Sequence, residues 1–186
     1  VLENAITIVL AWGSFIVAEQ SGASGVIAVV VAGLIIGNYG TKLAMSEQTV
    51  QTINTFWENH IIPALFEYIK IPNKSPSFDP EWKANGHMDR VLNLATEWAK
   101  EHLPDGAELT VKESDERTPL ILIDIPGDRK GNILMYGHLD KQPEMDGWDD
   151  GLDPWNPVMK NEKLYGRGAA DDGYALFASL CTVNAL

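Results

Sequence analysis

Hydrophobic positions are distributed along this chain in two different ways. Up to Met45 they form uninterrupted runs: residues 5–18 carry no charge, and neither do residues 20–41 on the far side of Glu19. The second run, about 22 residues, makes a helix of roughly 33 Å, enough to cross a hydrocarbon core of about 30 Å. The first, about 14 residues, is short for a span and needs packing or its polar ends to complete one. Small residues such as Gly13, Ser14, Gly22, Gly25, Gly33 and Gly37 suit close helix packing in a membrane. No basic segment precedes the apolar stretch, so a signal peptide fits poorly.

Beyond Ser46 the pattern becomes amphipathic. Ser46 with Glu47 and Gln48 marks a helix start, and a polar run to Thr55 separates the two regimes. From Trp57 to Ile69, apolar residues at 61, 62, 65, 66 and 69 recur at helical spacing. Pro72, Pro76 and Pro80 then enforce an irregular loop. A second amphipathic helix is predicted over Met88 to Leu103, a last one from about Tyr174 to Ala185, and strands over Leu109 to Lys112 and Leu120 to Ile125. The run Ile133 to Tyr136 reads as a buried strand ending at Gly137. These elements make an α/β layer.

That strand is the one with chemistry at its tip. It delivers His138, Leu139 and Asp140, and side chains two apart in extended backbone point the same way, so His138 and Asp140 sit side by side. A neutral imidazole ligates metals, and a neighbouring carboxylate fixes its tautomer. About thirty residues on, Leu164-Tyr165-Gly166-Arg167-Gly168-Ala169-Ala170-Asp171-Asp172 clears space around two adjacent carboxylates. A lone His-x-Asp is most often a satisfied structural histidine. His87-x-Asp89 is read as a helix start rather than a metal site.

Taken together, HLDKQPE, W-DDGLDPW-P and LYGRGAADD resemble the dinuclear-zinc exopeptidases of peptidase family M-twenty, the carnosinase, aminoacylase and desuccinylase type. The resemblance runs from about Trp57 to Leu186. It implies a partial zinc-exopeptidase-like three-layer α/β domain, with His138 a ligand to one metal, Asp171 the carboxylate bridging two, and Asp140 the catalytic carboxylate that orients the site. It also implies a cis peptide between Asp171 and Asp172, two Zn2+ ions with Mn2+ as the alternative, and hydrolysis of a small peptide or N-acyl amino acid. Asp172 and Arg167 are read as supports of the ligands rather than ligands. Where the family commonly continues Asp-Lys-Gly, this chain has Asp172-Gly173-Tyr174, which leaves the substrate subgroup open. Trp148 and Trp155 either touch substrate or cap the core under a long loop. A Glu-Glu pair with the general base, a further acid and a distal histidine are implied but absent, so the polypeptide alone is expected to be inactive.

The earlier segment, AWGSFIVAEQSGASGVIAVVVAGLIIGNYG, resembles monovalent cation:proton antiporters, and that resemblance makes Glu19 a candidate for an ion pathway. Two spans cannot build an inverted-repeat transporter. The expected organisation is an antiporter-like helical segment over 1–45, a junction over 46–58 and a truncated metallopeptidase domain over 59–186. A join of unrelated fragments competes with a membrane-tethered peptidase. With no initiator Met, and a last helix still apolar at Leu186, the sequence reads as cut at both ends.

Composition narrows the partners. The net charge of −12 lies mostly after Glu58, where 22 acids meet 13 bases. That argues against nucleic acid and against charge-driven binding to anionic lipid. Membrane lipid is the partner of residues 5–41 if that segment inserts; the hydrolase part is expected to be cytoplasmic, and the resemblance allows a homodimer. Cys181, the single cysteine, excludes an internal disulfide, and its place in an apolar helical pattern marks it as a small buried hydrophobe.

Overall fold

A computed structural model describes residues 46–114 and 117–185 of the 186. The two apolar helices expected over the first 45 residues, and Glu19 between them, lie outside the described residues. Among the described residues no helix is long and apolar enough to cross a membrane. The chain divides into two compact units, Val1–Asn54 and Thr55–Leu186.

Helix α1 (Glu47–Phe56) begins where the sequence places it. The Ser46 hydroxyl accepts from the Thr49 backbone N–H at 3.1 Å, satisfying one of the N–H groups that a first turn leaves free. The polar composition of α1 leaves it with no buried residue.

In the second unit, a π-helical turn (Trp57–Ile61) leads into α2 (Ile62–Ile69). Pro63, which has no N–H and a ring that crowds the preceding turn, accounts for the widening. Helix α3 (His87–Glu101) starts after Gly86, whose φ of 70° favours glycine, and the His87 N–H is met by the Asn85 side chain at 2.9 Å. Helix α4 (Tyr174–Asn184) matches the expected last helix almost residue for residue. The core is the meeting of α2, α3 and α4, with Ile61, Tyr68, Ile69, Val91, Ala95 and Phe177 all essentially sealed. At its edge the rings of Phe56, His60, Trp98 and His102 stack, and the two imidazoles share a 3.0 Å hydrogen bond. Cys181 is buried, and burial raises its thiol pKa, as befits a packing residue.

Strands β1 (Glu108–Ser114) and β2 (Arg117–Asp124) pair antiparallel, with Leu109 opposite Ile123 and Val111 opposite Ile121. A short hairpin, β3 (Val158–Lys160) and β4 (Lys163–Tyr165), was not expected from sequence. Its two-residue loop, Asn161-Glu162, has both φ values positive (52° and 60°), the geometry that matches strand twist.

The strand predicted over Ile133 to Tyr136 is not formed. These residues have no ladder partner among the described strands and are exposed, Leu134 to 93 % and Ile133 and Tyr136 each to 80 %. The described sheets are both two-stranded, so no described strand pairs with this run, and a strand's backbone groups need such a neighbour. Leu120 and Leu122 of β2 are exposed as well, while its alternate residues Ile121 and Ile123 are half-buried; both faces are apolar, the pattern of a strand covered on two sides. The architecture among the described residues is α/β, a helical core with two separate hairpins.

Candidate metal centre

Although no strand leads to it, the loop 137–142 is held in place from three sides. Gly137 runs against the start of α4, where a Cβ would collide with Ala175 and lie 3.2 Å from the Asp172 carboxylate. The Leu139 carbonyl accepts from the Tyr68 hydroxyl at 2.9 Å and from the Asn73 side-chain amide at 2.7 Å. Lys141 pairs by its backbone with Asn73 and Ser75. Residues flanked by such anchors, here His138 and Asp140, have little freedom to leave their positions.

The second half of the site is the turn from Gly168 to Gly173, closed by a 2.8 Å hydrogen bond from the Gly173 N–H to the Gly168 carbonyl. The Asp171–Asp172 peptide is cis, as the family resemblance implies. Asp172 accepts from the His138 backbone N–H at 3.3 Å, so it supports the loop directly.

His138 is the centre of this arrangement. Its Nδ1 faces both the Asp140 carboxylate and the Asp140 carbonyl, each at 3.0 Å, which places the ring proton on Nδ1 and leaves Nε2 as a lone pair. That Nε2 lies 3.4 Å from an Asp171 carboxylate oxygen. A lone pair and a carboxylate facing each other repel unless a positive charge sits between them. The protein's own remedy is a second proton. Burial of the ring works against it, but the bond to the Asp140 carbonyl and the charges of Asp140, Asp172 and Asp171 outweigh burial and raise the His138 pKa above its ordinary 6.5.

A divalent cation is the other remedy. Zinc bonds to nitrogen and oxygen of about 2.0–2.1 Å at a tetrahedral angle span roughly 3.4 Å, so the donor pair fits one edge of a zinc position. It is only an edge: among the described residues, no group of three or more His, Cys, Asp or Glu is placed to hold a metal. His138 and Asp171 are half-exposed and exposed respectively, at 35 % and 66 % of the side chain.

The remaining candidates sort by contact. Arg167 does not reach the donors; its Nε lies 3.4 Å from the Gln142 carbonyl and its backbone N–H donates to Pro154 at 2.7 Å, bracing the loop that follows Asp140. Trp148 is half-buried with its indole N–H on the Glu144 carbonyl at 2.9 Å, and Trp155 lies beside the Lys141 amine. Tyr68, Asn73 and Lys141 were missed by sequence reasoning. Their signal is faint: a tyrosine on the apolar face of α2, an Asn directly after Pro72, and a lysine in the middle of HLDKQPE. Burial, and the charges of Asp140, Asp171 and Asp172, raise the Tyr68 pKa and keep its hydroxyl a donor. Burial draws Lys141 down to about 7, against the carbonyls that accept from it.

Comparison with known proteins places this geometry in context. The family described as Peptidase family M20/M25/M40 matches residues 134–186, and the family described as Sodium/hydrogen exchanger, transmembrane, matches residues 1–70. The human Beta-Ala-His dipeptidase is 29% identical over 158 residues, covering 76% of this chain and 29% of the dipeptidase. The crystal structure of human carnosine dipeptidase 1 superposes with a TM-score of 0.58 at 27% identity, covering 75% of this chain and 30% of that one. The Na(+)/H(+) antiporter NhaG of Bacillus atrophaeus is 58% identical over 57 residues, 31% of this chain and 11% of the antiporter. The chain thus spans less than a third of each of these relatives. The antiporter match reaches residue 70, beyond the junction expected at 46–58. One polypeptide therefore joins sequence similar to transmembrane sodium/hydrogen exchangers with sequence similar to the M20 peptidases in an α/β fold like that of carnosine dipeptidase.

Proposed function

We propose that residues 55–186 form the metal-binding part of a hydrolase that cleaves small peptides or related amides, of the dipeptidase type. The observation carrying this reading is the approach of His138 Nε2 to Asp171 at 3.4 Å, with Nδ1 already committed to Asp140. His138 and Asp171 would hold the ion, zinc by preference and manganese as the alternative. A bound zinc supplies Lewis acidity toward an amide carbonyl and toward water. Asp140 keeps the imidazole proton on Nδ1 and so keeps Nε2 free to donate. Asp172 holds the His138 backbone, and Tyr68, as a protonated donor, pins Leu139 between the two. Asp171, the carboxylate of the cis-peptide turn, has a second oxygen available for a second ion.

Two donors bind zinc weakly, since catalytic sites use about three protein ligands. The 186-residue chain is accordingly expected to bind metal weakly and to turn over no dipeptide unaided. Zinc titration of the full chain by calorimetry tests the reading, alongside hydrolysis of a β-alanyl-histidine dipeptide. Uptake abolished by His138→Ala and by Asp171→Asn supports it; uptake indifferent to both overturns it.

A second reading concerns residues 1–45, which lie within the sodium/hydrogen exchanger match over residues 1–70; it has residues 5–41 insert in a membrane and makes Glu19 a candidate for an ion pathway. On that reading the hydrolase unit faces the cytoplasm from a membrane tether. Alkaline carbonate extraction of cell membranes decides it: the chain stays in the pellet if the segment inserts and appears in the supernatant if it does not.

A further inference from the structure

Lys141 is the most deeply buried charged residue described, 1 % exposed, and its amine meets carbonyls and a ring rather than a carboxylate. Its Nζ donates to the carbonyls of Tyr68 at 2.6 Å, Ile71 at 2.6 Å and Ile69 at 3.4 Å, and sits 3.9 Å from the centre of the Tyr68 ring. These carbonyls belong to the C-terminal end of α2 and the residues just after it, where a helix leaves its last acceptors without intrahelical donors. Carbonyl acceptors for its N–H groups, at the negative end of a helix, explain how so buried a lysine is tolerated.

The same side chain touches the other half of the site. A Cβ on Gly168 would stand 2.5, 2.8 and 2.9 Å from Lys141 Cγ, Cδ and Cε, so the turn that carries Asp171 lies directly on the lysine stem. The Lys141 backbone, meanwhile, bonds to Asn73 and Ser75 and continues the loop from His138 and Asp140. One residue therefore contacts the end of α2, the loop bearing the imidazole and the turn bearing the carboxylate.

We propose that Lys141 is a positioning residue that sets the approach of His138 to Asp171: its amine fastens the 138–141 loop to the end of α2, and its stem is the surface on which the 168–172 turn rests. The inference rests on the metal-centre reading in supposing that this approach matters for a cation. The positioning itself is a property of the metal-free protein.

The full chain carrying Lys141→Met, which keeps the stem and removes the donors, is compared with wild type in three ways: thermal unfolding, Co2+ titration, and the 15N signals of the His138 ring in metal-free protein. The expected result is a cooperatively folded variant whose Co2+ affinity falls roughly ten- to a hundredfold. Its His138 ring signals also shift from those of wild type recorded at the same pH. Lys141→Gln, with one donor group retained, falls between the two and decides the matter if Lys141→Met does not fold. Folded variants with unchanged ring signals overturn the proposal, whatever the metal does. Should wild type take up no Co2+ while the ring signals still respond to Lys141→Met, positioning stands and the metal-centre reading is what fails.

Discussion

The Leu139 carbonyl, between His138 and Asp140, accepts from two buried donors, the Tyr68 hydroxyl at 2.9 Å and the Asn73 amide at 2.7 Å, and this makes their energetics coupled. Tyr68→Phe removes one bond and leaves the carbonyl satisfied by the other, so its cost is the net value of a hydrogen bond, about 0.5–1.5 kcal/mol. Asn73→Ala does the same from the other side. Its cost sits at the low end of that range because Asn73 Oδ1, buried without a partner among the described residues, disappears with it. With both gone, the carbonyl is orphaned in a part-buried loop, and the desolvation penalty of roughly 1–3 kcal/mol appears only then. The double variant should therefore lose about 1 kcal/mol more than the sum of the singles. Urea titration followed by near-UV circular dichroism measures the cycle. Hydrogen exchange at amides 138–141 reports whether the loop loosens in step. Additivity within about 0.3–0.5 kcal/mol would refute the claim that both donors serve one acceptor.

Further outcomes follow from the same geometry. His138 has a raised pKa in the fold, so its contribution to stability is fully present below the unfolded value of 6.5 and is lost as pH rises through the folded value. Stability of wild type relative to His138→Asn should fall over that window, and apparent zinc affinity should rise over it as the competing proton leaves; a difference that does not change with pH contradicts this. Gly168→Ala places a methyl on the Lys141 stem at a φ of 84°, and a loss of about 1–3 kcal/mol in urea unfolding is expected, while a neutral outcome shows the stem has room. Leu134→Lys, at a site 93 % exposed, should change stability by no more than about 0.5 kcal/mol while reducing binding of a hydrophobic dye; a large destabilisation would show the side chain to be buried in solution.

Local signals carried the helices and the β1–β2 hairpin. The 3.6-residue spacing around Leu65 and Val91 and the apolar run through Leu122 were enough to locate α2 to α4, β1 and β2 to within a few residues, and Ser46 marked the start of α1, because each depends on neighbours close in sequence. The Ile133–Tyr136 run was misread for the complementary reason: its composition is that of a central strand, but strand formation depends on partners elsewhere in the chain, and the described sheets provide none. The β3–β4 hairpin was overlooked because its turn is Asn161-Glu162 rather than the Asn-Gly that announces such turns. At the candidate centre, His138, Asp140 and Asp171 were visible in the sequence as residue types within motifs, while their roles at a metal were implied only by the family resemblance. Tyr68, Asn73 and Lys141 were not, since their contacts span from 66 to 73 residues of sequence and follow no periodicity.

X-ray absorption at the zinc edge, on the full chain loaded with one equivalent of Zn2+, addresses the paired imidazole and carboxylate most directly. The account predicts a first shell of nitrogen and oxygen at about 2.0–2.1 Å, with outer-shell scattering from a single imidazole that vanishes in His138→Ala. Imidazole scattering that persists in that variant, or a sulfur shell near about 2.3 Å from Cys181, would contradict it.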